Sequence, residues 1–228
     1  MSESDLIPAD KGKTDSESGG VRVVAMGLAN SIGLFPDMVA AGTPTPGGGS
    51  VAALCGVMAA SLGQMVCNLT IGKPRFADHE PRLKDIRDEL ERSGMQLREL
   101  IAEDAASFDS VLRAYRLPKE TDEQKQERAS QVQAATLFAI NVPLDTAERS
   151  FEVLKHLREL ADIGNPNALS DMAVGAQLAQ TAIKGASYNV RVNLGSLTDK
   201  EAADKVEKQI ARLIDASRVI AEEIEARL

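Results

Sequence analysis

The sequence has few aromatic residues and no block of basic ones. Phe, Tyr and Trp make up 3% of its 228 residues, and tryptophan is absent. A core must therefore be built from aliphatic side chains and alanine, which is feasible because apolar residues make up 43% of the chain. The formal net charge is −8, and no run of Lys or Arg provides the basic surface that nucleic-acid-binding proteins use. We therefore expect no nucleic-acid partner, and the acidity favours a cationic or neutral small ligand.

Cysteine is equally scarce. Cys55 and Cys67 stand on one apolar run, about 18 Å apart along a helix axis, which is too far for a disulfide within that helix. Even with the two histidines of the chain they form no metal-binding spacing. We therefore expect free thiols in a cytoplasmic protein, and no metal site.

No stretch has the features of a membrane span or a secretory signal. The apolar run over residues 51–67 is shorter than the about 20 residues that a transmembrane helix needs, and it contains Gln64. It therefore predicts a buried core helix and no membrane partner. Residues 1–20 are polar and lack a basic segment followed by an apolar one, so they predict a disordered N-terminal tail.

Helical periodicity runs through most of the remaining sequence, and sustained alternation of apolar and polar residues is missing. This predicts one all-α domain over residues 21–228, a bundle of about six helices. The predicted helices cover approximately residues 21–41, 50–70, 81–115, 122–162, 168–192 and 199–228. Ser50 is the expected N-cap of the second helix, and Thr121 with Gln124 forms a capping box for the fourth. Pro143 is expected to kink or divide that fourth helix.

The second and fifth predicted helices are rich in Gly, Ala and Ser and are apolar on nearly all sides, which indicates buried helices. Each glycine costs a helix about 1 kcal/mol relative to alanine, so close packing is expected to offset that cost. We expect these two helices at the centre of the bundle, packed on each other or across the axis of a homo-oligomer.

An aspartate interrupts the apolar face of the third predicted helix. Leu97, Ile101, Phe108 and Val111 share one face by their three–four spacing, and Asp104 stands in the same series. Buried carboxylates are rare unless they have an ion-pair or hydrogen-bond partner or a functional role. Two interpretations stay open: a structural ion pair with a neighbouring helix, or a carboxylate that lines an internal cleft.

The stretch PTPGGGS, residues 44–50, comes directly before the second helix. It matches neither the Walker A loop nor the GxGxxG motif. Bare N–H groups at a helix N-terminus suit an anion or a flat ligand at close range, but a plain hinge explains the glycines equally well. Further polar residues stand at other helix ends and turns, where capping or turn formation also accounts for them: Asn68, Lys73, Asn165, Asp171 and Asn189.

Four separated stretches together resemble a known family. PTPGGGSVAAL, MVCNLTIGK, IAEDAASFDSVLRAYRLPK and GNPNALSDMAVGA occur in the order and at the spacing found in the cyclodeaminase/cyclohydrolase family. That family comprises formiminotetrahydrofolate cyclodeaminase and the stand-alone bacterial methenyltetrahydrofolate cyclohydrolases. The resemblance covers residues 34–228. It implies an all-helical homodimer that acts on a tetrahydrofolate derivative as substrate and needs no cofactor.

The resemblance implies hydration of 5,10-methenyltetrahydrofolate to 10-formyltetrahydrofolate. The residues of the CNLTIGK and YRLPK stretches look closer to those of the stand-alone cyclohydrolases. In addition, 228 residues leave no room for a formiminotransferase domain beside this one. One alternative is the cyclodeaminase reaction, which closes 5-formiminotetrahydrofolate to the methenyl compound and releases ammonia. A second alternative, from a different class, is a non-catalytic helical dimer that binds a ligand or scaffolds a partner.

The residues of the four stretches then receive expected roles. Asp104 is the expected carboxylate and general base, and Asp171 is the second candidate. Lys73 is expected to donate a proton or to hold the glutamate of the folate. The expected substrate-binding residues form the bare shelf before the second helix and a set of amides: Pro46, Gly47, Gly48, Gly49, Ser50, Asn68, Asn165 and Asn189.

Overall fold

The computed structural model describes residues 33–228. Residues 44–228 form one compact unit, whereas residues 33–43 belong to a second unit that is helical over residues 33–40 (α1). The rest of the predicted first helix and the predicted disordered tail over residues 1–20 lie outside the described residues.

The larger unit consists of five long helices. They are α2 (Gly48–Thr70), α3 (Glu80–Tyr115), α4 (Asp122–Ile163), α5 (Leu169–Leu194) and α6 (Lys200–Glu225), with short 3₁₀ helices at Pro74–His79 and Pro166–Ala168. No strand occurs in residues 33–228. The all-α fold and the number of helices are therefore confirmed, with most predicted bounds within two residues of the observed ones.

Helix termini agree with the sequence in part. The Thr121–Gln124 capping box is present at the start of α4, and α4 continues through Pro143 without a break. The prediction that Ser50 caps α2 was wrong: Gly47 is the N-cap, and Ser50 lies inside the first turn, where its hydroxyl bonds to α3. The suggested cap of α5 by Asp171 was also wrong, because that helix begins after Ala168 without a side-chain cap.

The central helix is α2, which packs against α3, α4 and α5. Its glycines permit this close approach. A Cβ added at Gly56 would stand 3.0 Å from Leu97 of α3 and 2.6 Å from Ser150 of α4. A Cβ at Gly63 would stand 2.7 Å from Leu90. Neighbouring side chains occupy the space that these glycines leave, so tight packing offsets their low helix propensity, as predicted.

The small-residue helices α2 and α5 run antiparallel and touch each other. Gly185 faces Ala52 near the start of α2, and Gly175 faces Leu62 farther along it. The start of α2 and the end of α5 therefore lie at one end of the bundle, here called the glycine end. The end of α2 lies at the opposite end, here called the Asn165 end, where the backbone N–H of Asn165 donates to Thr70 Oγ1 at 3.1 Å.

Within residues 33–228, α2 is the one helix long and apolar enough to cross a bilayer, with a mean hydropathy of 1.7 over its most apolar window. In that window, 56% of the residues are buried inside the structure. A buried core helix meets the same criterion.

An ion cluster joins α3 to α4 near the Asn165 end. Arg82 donates through Nε and Nη2 to the two carboxylate oxygens of Glu159, both at 2.7 Å. This bidentate pairing holds the pKa of Glu159 below its ordinary value. Beside the pair, His156 lies 3.4 Å from Glu89, and burial lowers the pKa of that histidine.

Candidate active site

A cavity of about 330 Å³ opens at the glycine end, between the loop before α2 and the ends of α3, α4 and α5. Here called the Asp104 cavity, it brings together glycines, one carboxylate, two amides and several apolar side chains. Its lining residues are Pro44, Thr45, Gly47, Gly48, Gly49, Asp104, Phe108, Val111, Ala139, Asn189, Val192 and Asn193. Five of these, namely the three glycines, Asp104 and Asn189, were predicted site residues.

The first turn of α2 holds the Asp104 carboxylate in place. The backbone N–H of Ser50 donates to Asp104 Oδ2 at 2.8 Å, and the Ser50 hydroxyl donates to the same oxygen at 2.8 Å. The hydroxyl also lies 3.1 Å from the carbonyl oxygen of Ile101. Ser50 is fully buried and does not line the cavity. It therefore positions the carboxylate, which differs from the predicted direct contact with substrate.

The three glycines of the loop are not equivalent. A Cβ built on Gly49 would stand 2.1 Å from Asp104 Oδ1 and 2.6 Å from its Cγ, a separation that no side chain tolerates. A Cβ on Gly48 would meet nothing within 4 Å, and one on Gly47 would meet only the Pro44 carbonyl oxygen at 3.3 Å. Gly49 is thus required by the close approach of the carboxylate to the helix N-terminus, where the helix dipole also favours a negative charge.

The face of α3 that carries Asp104 changes character along the helix. Leu97 is fully buried, Ile101 is half-buried and Phe108 is 38% exposed. The apolar series that predicts a continuous core face therefore serves as core up to about Ile101 and as cavity wall beyond it. No cationic side chain within residues 33–228 forms an ion pair with Asp104, so the ion-pair interpretation is wrong for the described chain.

Asp104 is the one ionisable side chain among the residues that line this cavity in the described part of the chain. In a partly enclosed cavity its charge is screened less than on an open surface. The cavity therefore presents a negative potential, which suits a cationic group and disfavours an anionic one.

Two asparagines of α5 face the cavity one helical turn apart. Asn189 Nδ2 donates to the carbonyl oxygen of Gly185 at 3.2 Å, and Asn193 Nδ2 donates to that of Ala139 at 2.7 Å. No donor within residues 33–228 reaches their Oδ1 atoms, which leaves these oxygens open as hydrogen-bond acceptors. Their spacing of four residues in the sequence predicts that both lie on the same helix face.

The other predicted site residues lie elsewhere. Asn68 lies in the last turn of α2, and Lys73 precedes the Pro74–His79 helix. Asn165 precedes the Pro166–Ala168 helix, and Asp171 is in the first turn of α5. Thr70 is about 30 Å from Gly49 along the axis of α2. Within one chain these four residues cannot join the Asp104 cavity, which corrects the expectation of a single site. Pro46 also does not line that cavity.

Cys55 and Cys67 are both free, as expected. Burial raises the pKa of the Cys67 thiol to about 11, so that thiol is protonated and inert at neutral pH. Among residues 33–228, no three His, Cys, Asp or Glu side chains gather closely enough to hold a metal ion.

Within residues 33–228, the fold and the cavity define an all-helical protein with a candidate small-molecule site built on a single carboxylate. The family model described as formiminotransferase-cyclodeaminase matches residues 31–212. The chain therefore belongs to the formiminotransferase-cyclodeaminase family, which confirms the resemblance found in the sequence.

Similar proteins carry two kinds of name. A methenyltetrahydrofolate cyclohydrolase of Methylorubrum extorquens is 39% identical over 85% of this chain and 93% of that protein. A formimidoyltransferase-cyclodeaminase of Mus musculus is 34% identical over 84% of this chain but only 35% of that protein. The crystal structure of formiminotetrahydrofolate cyclodeaminase from Thermotoga maritima matches with a TM-score of 0.70 and 30% identity, covering 85% of this chain and 90% of that one.

Proposed function

We propose that this protein is a methenyltetrahydrofolate cyclohydrolase, which hydrates 5,10-methenyltetrahydrofolate to 10-formyltetrahydrofolate. The observation that carries the proposal is the Asp104 cavity, whose single ionisable side chain is a carboxylate held by the first turn of α2. The cyclohydrolase of Methylorubrum extorquens supports it, since the match extends over 93% of that enzyme.

The substrate carries a delocalised positive charge over N5, the methenyl carbon and N10. A fixed carboxylate stabilises such a cation most strongly in a poorly hydrated site. Asp104 meets this requirement because both hydrogen bonds from Ser50 go to Oδ2, while Oδ1 has no donor within residues 33–228. Oδ1 is therefore the atom we assign to the water and the cation.

The reaction then needs only water and the carboxylate. Water adds to the methenyl carbon, and Asp104 takes one of its protons, which leaves a neutral tetrahedral adduct. The C–N5 bond breaks as Asp104 returns its proton to N5, while the hydroxyl proton leaves to solvent. The products are 10-formyltetrahydrofolate and one proton. The Oδ1 atoms of Asn189 and Asn193 are placed to accept hydrogen bonds from the amino and N–H groups of the pterin.

The cyclodeaminase reaction is the second candidate, because the Thermotoga maritima structure and the mouse relative carry that name. There N10 attacks the formimino carbon, ammonia leaves, and the same methenyl cation forms. Two assays separate the candidates. Decay of the near-ultraviolet band of methenyltetrahydrofolate above the uncatalysed rate indicates cyclohydrolase. Growth of that band from 5-formiminotetrahydrofolate, with ammonia released, indicates cyclodeaminase, and the absence of both changes contradicts either activity.

Asp104→Asn tests the role of the carboxylate. The amide keeps the size of the side chain but removes its charge and its basicity, so we expect loss of roughly 100-fold or more in kcat, as for other general bases. The helical circular dichroism signal should be unchanged. Near-normal turnover in a folded Asp104→Asn variant would contradict the assignment.

We further propose that the protein acts as a homodimer through an exposed apolar face of α2 and α5. Val174 and Tyr188 are each 55% exposed, Val192 is 77% exposed, and Met58 on α2 is 48% exposed. The α5 residues recur at helical spacing along one face, so the face extends from one end of the bundle to the other. Such a face on two central helices fits a second copy of the same surface.

A two-fold axis that crosses these helices would set the glycine end of one subunit against the Asn165 end of its partner. Lys73 could then act on a folate bound beside the other subunit's Asp104. We expect Val174→Glu to shift sedimentation from dimer to monomer, whereas Val219→Glu, on the exposed face of α6, should leave it unchanged. If both variants sediment like the wild type, this face is not the interface.

Mixing variants tests the shared site directly. Asp104→Asn and Lys73→Met chains, each of low activity, should regain about a quarter of wild-type activity after subunit exchange, because half of the dimers then carry one intact site. No recovery after confirmed subunit exchange would contradict a site shared between subunits, and full activity of Lys73→Met alone would place Lys73 outside the site.

A further inference from the structure

A second depression lies next to the Asp104 cavity, between the C-terminal part of α3 and the N-terminal part of α4. It has a volume of about 520 Å³ and is here called the outer groove. The residues that matter to the argument are Arg113 and Ala114 of α3, Leu117 of the loop that follows it, and Gln131, Ala135 and Phe138 of α4.

The outer groove and the Asp104 cavity are lined by neighbouring residues of the same two helices. On α3, Phe108 and Val111 line the cavity and Ser110 and Ala114 line the groove. On α4, consecutive residues divide the same way: Ala139 lines the cavity and Phe138 the groove. From Phe108 to Tyr115, where α3 ends, the helix rises about 10 Å, and Leu117 of the groove follows just beyond that end.

The two spaces differ in charge. The cavity has a carboxylate and no cation in the described chain, whereas the groove carries Arg113, and the YRLPK stretch at its outer end adds Arg116 and Lys119. None of these three cations is among the ion pairs formed within residues 33–228. Within residues 33–228, the one hydrogen bond from the Arg113 guanidinium is that of Nη2 to the Ser110 hydroxyl, at 3.2 Å.

The remaining groove groups are apolar or already satisfied. Ala114, Leu117 and Phe138 provide apolar walls, one of them aromatic. Glu127, the one carboxylate of the groove, accepts a hydrogen bond from Gln131 Nε2 at 2.8 Å. The depression thus combines apolar walls with cations that form no ion pair within residues 33–228.

We propose that the outer groove binds the arylamide–glutamate end of the folate substrate, with Arg113 as the residue that contacts a glutamate carboxylate. This inference rests on the proposed function. The substrate has the matching order of groups: a cation at the N5–N10 bridge, an aromatic ring next to it, and then two carboxylates. Placed with its bridge at Asp104, the molecule would bring its aromatic ring to the apolar walls of the groove and its carboxylates to Arg113.

The experiment compares two substrates and two arginine variants in the full-length protein. One substrate is 5,10-methenyltetrahydrofolate, and the other ends in a simple methylamide in place of glutamate. The control for Arg113→Ala is Arg98→Ala, which removes the same charge from the same helix. Arg98 is exposed and lines no cavity among the described residues. An exposed ion pair corresponds to about a three- to five-fold change in affinity.

For the wild type and Arg98→Ala, removing glutamate should raise KM about three- to five-fold. For Arg113→Ala, KM for the full substrate should already be raised to that extent, and removing glutamate should then change it little. This non-additivity identifies a contact between the two groups. Arg113 is in the last turn of α3, where a cation stabilises the helix even without a ligand. A lower stability of Arg113→Ala would therefore not identify a substrate contact, whereas the comparison of the two substrates depends on binding alone.

Three outcomes would overturn the inference. Arg113→Ala could behave like Arg98→Ala with both substrates, or truncation could leave KM of the wild type unchanged. Alternatively, Arg113→Glu could dissociate an oligomer, which would make the groove a subunit interface. If the wild type turns over neither methenyl substrate, the proposed function fails instead, and p-aminobenzoylglutamate binding by calorimetry then decides whether the groove still recognises that end.

Discussion

Replacing Gly49 by alanine would place a methyl group inside the Asp104 carboxylate. The added Cβ would stand 2.1 Å from Oδ1, 2.6 Å from Cγ and 2.9 Å from Oδ2. Gly49 is in the first turn of a helix held by three neighbouring helices, so the backbone cannot readily move away. The carboxylate must therefore rotate out, and its two hydrogen bonds from Ser50 break.

The size of the effect follows from these contacts. Overpacking costs about 1–3 kcal/mol, and each hydrogen bond to a charged group contributes about 1.5–3 kcal/mol. The gain of alanine over glycine in a helix, about 1 kcal/mol, offsets only part of this loss. Displacing a catalytic group by about 1 Å can reduce the rate roughly 100-fold. We therefore expect Gly49→Ala to be less stable and to lose about 99% of its cyclohydrolase activity.

Gly48→Ala is the matched control, because its Cβ would meet nothing within 4 Å. Both variants add one methyl group to the same helical turn, so they share the change in helix propensity and differ in the contact with Asp104. Initial rates of methenyltetrahydrofolate decay and midpoints of thermal unfolding should be measured for both. Because Gly48 also lines the cavity, the comparison is made on stability, and Gly48→Ala should keep its free energy of unfolding within about 0.5 kcal/mol of the wild type. A Gly49→Ala variant as stable as Gly48→Ala would refute the argument that the glycine makes room for the carboxylate.

Three further predictions concern buried hydroxyls and a charged pair. Ser50→Ala removes one of two hydrogen bonds to the catalytic carboxylate and should lower kcat about ten-fold with little change in KM, whereas an unchanged kcat would contradict a positioning role. Ser150 Oγ is buried with no hydrogen-bond partner in the described chain, so Ser150→Ala should raise the thermal midpoint. Ser217→Ala loses a 2.8 Å hydrogen bond to a carbonyl oxygen and should lower the midpoint. The reverse order of the two midpoints would refute this reasoning. Arg82 lowers the folded-state pKa of Glu159, so its contribution to stability is present above the ordinary value of 4.5 and is lost as the pH falls through the folded-state pKa. The difference in thermal midpoint between wild type and Glu159→Gln should therefore shrink below about pH 4, and a difference that grows there would contradict the pairing.

Local patterns in the sequence predicted the helices well. The Thr121 capping box and the long periodic segments depend on residues within a turn or two of each other, and the observed helices follow them. The predictions that went wrong concern residues whose hydroxyl or carboxylate has a choice of partners. Ser50 was expected to cap its own helix, but its hydroxyl bonds to a residue more than fifty positions away.

The Asp104 site was predictable in part, because some of its residues stand out in local sequence patterns. A carboxylate in an apolar series marks an unusual position in any helix, and three glycines before a helix mark another. Their proximity is a consequence of how α2 and α3 pack, which no local pattern contains. The sequence likewise did not indicate that the four residues of the Asn165 end lie about 30 Å away, since motif resemblance carries no distances.

By itself, then, the sequence determined the helical class, the bounds of most helices, the family, and the choice of Asp104 and the PTPGGGS loop as the positions to examine. These properties depend on short-range periodicity and on residue identity. Only the tertiary structure decided that Gly49 is the glycine that matters, that Ser50 supports the carboxylate, and that Asn193 and the outer groove adjoin the site. These features depend on which side chains meet across separate helices, and that is set by the packing of α2 against its neighbours.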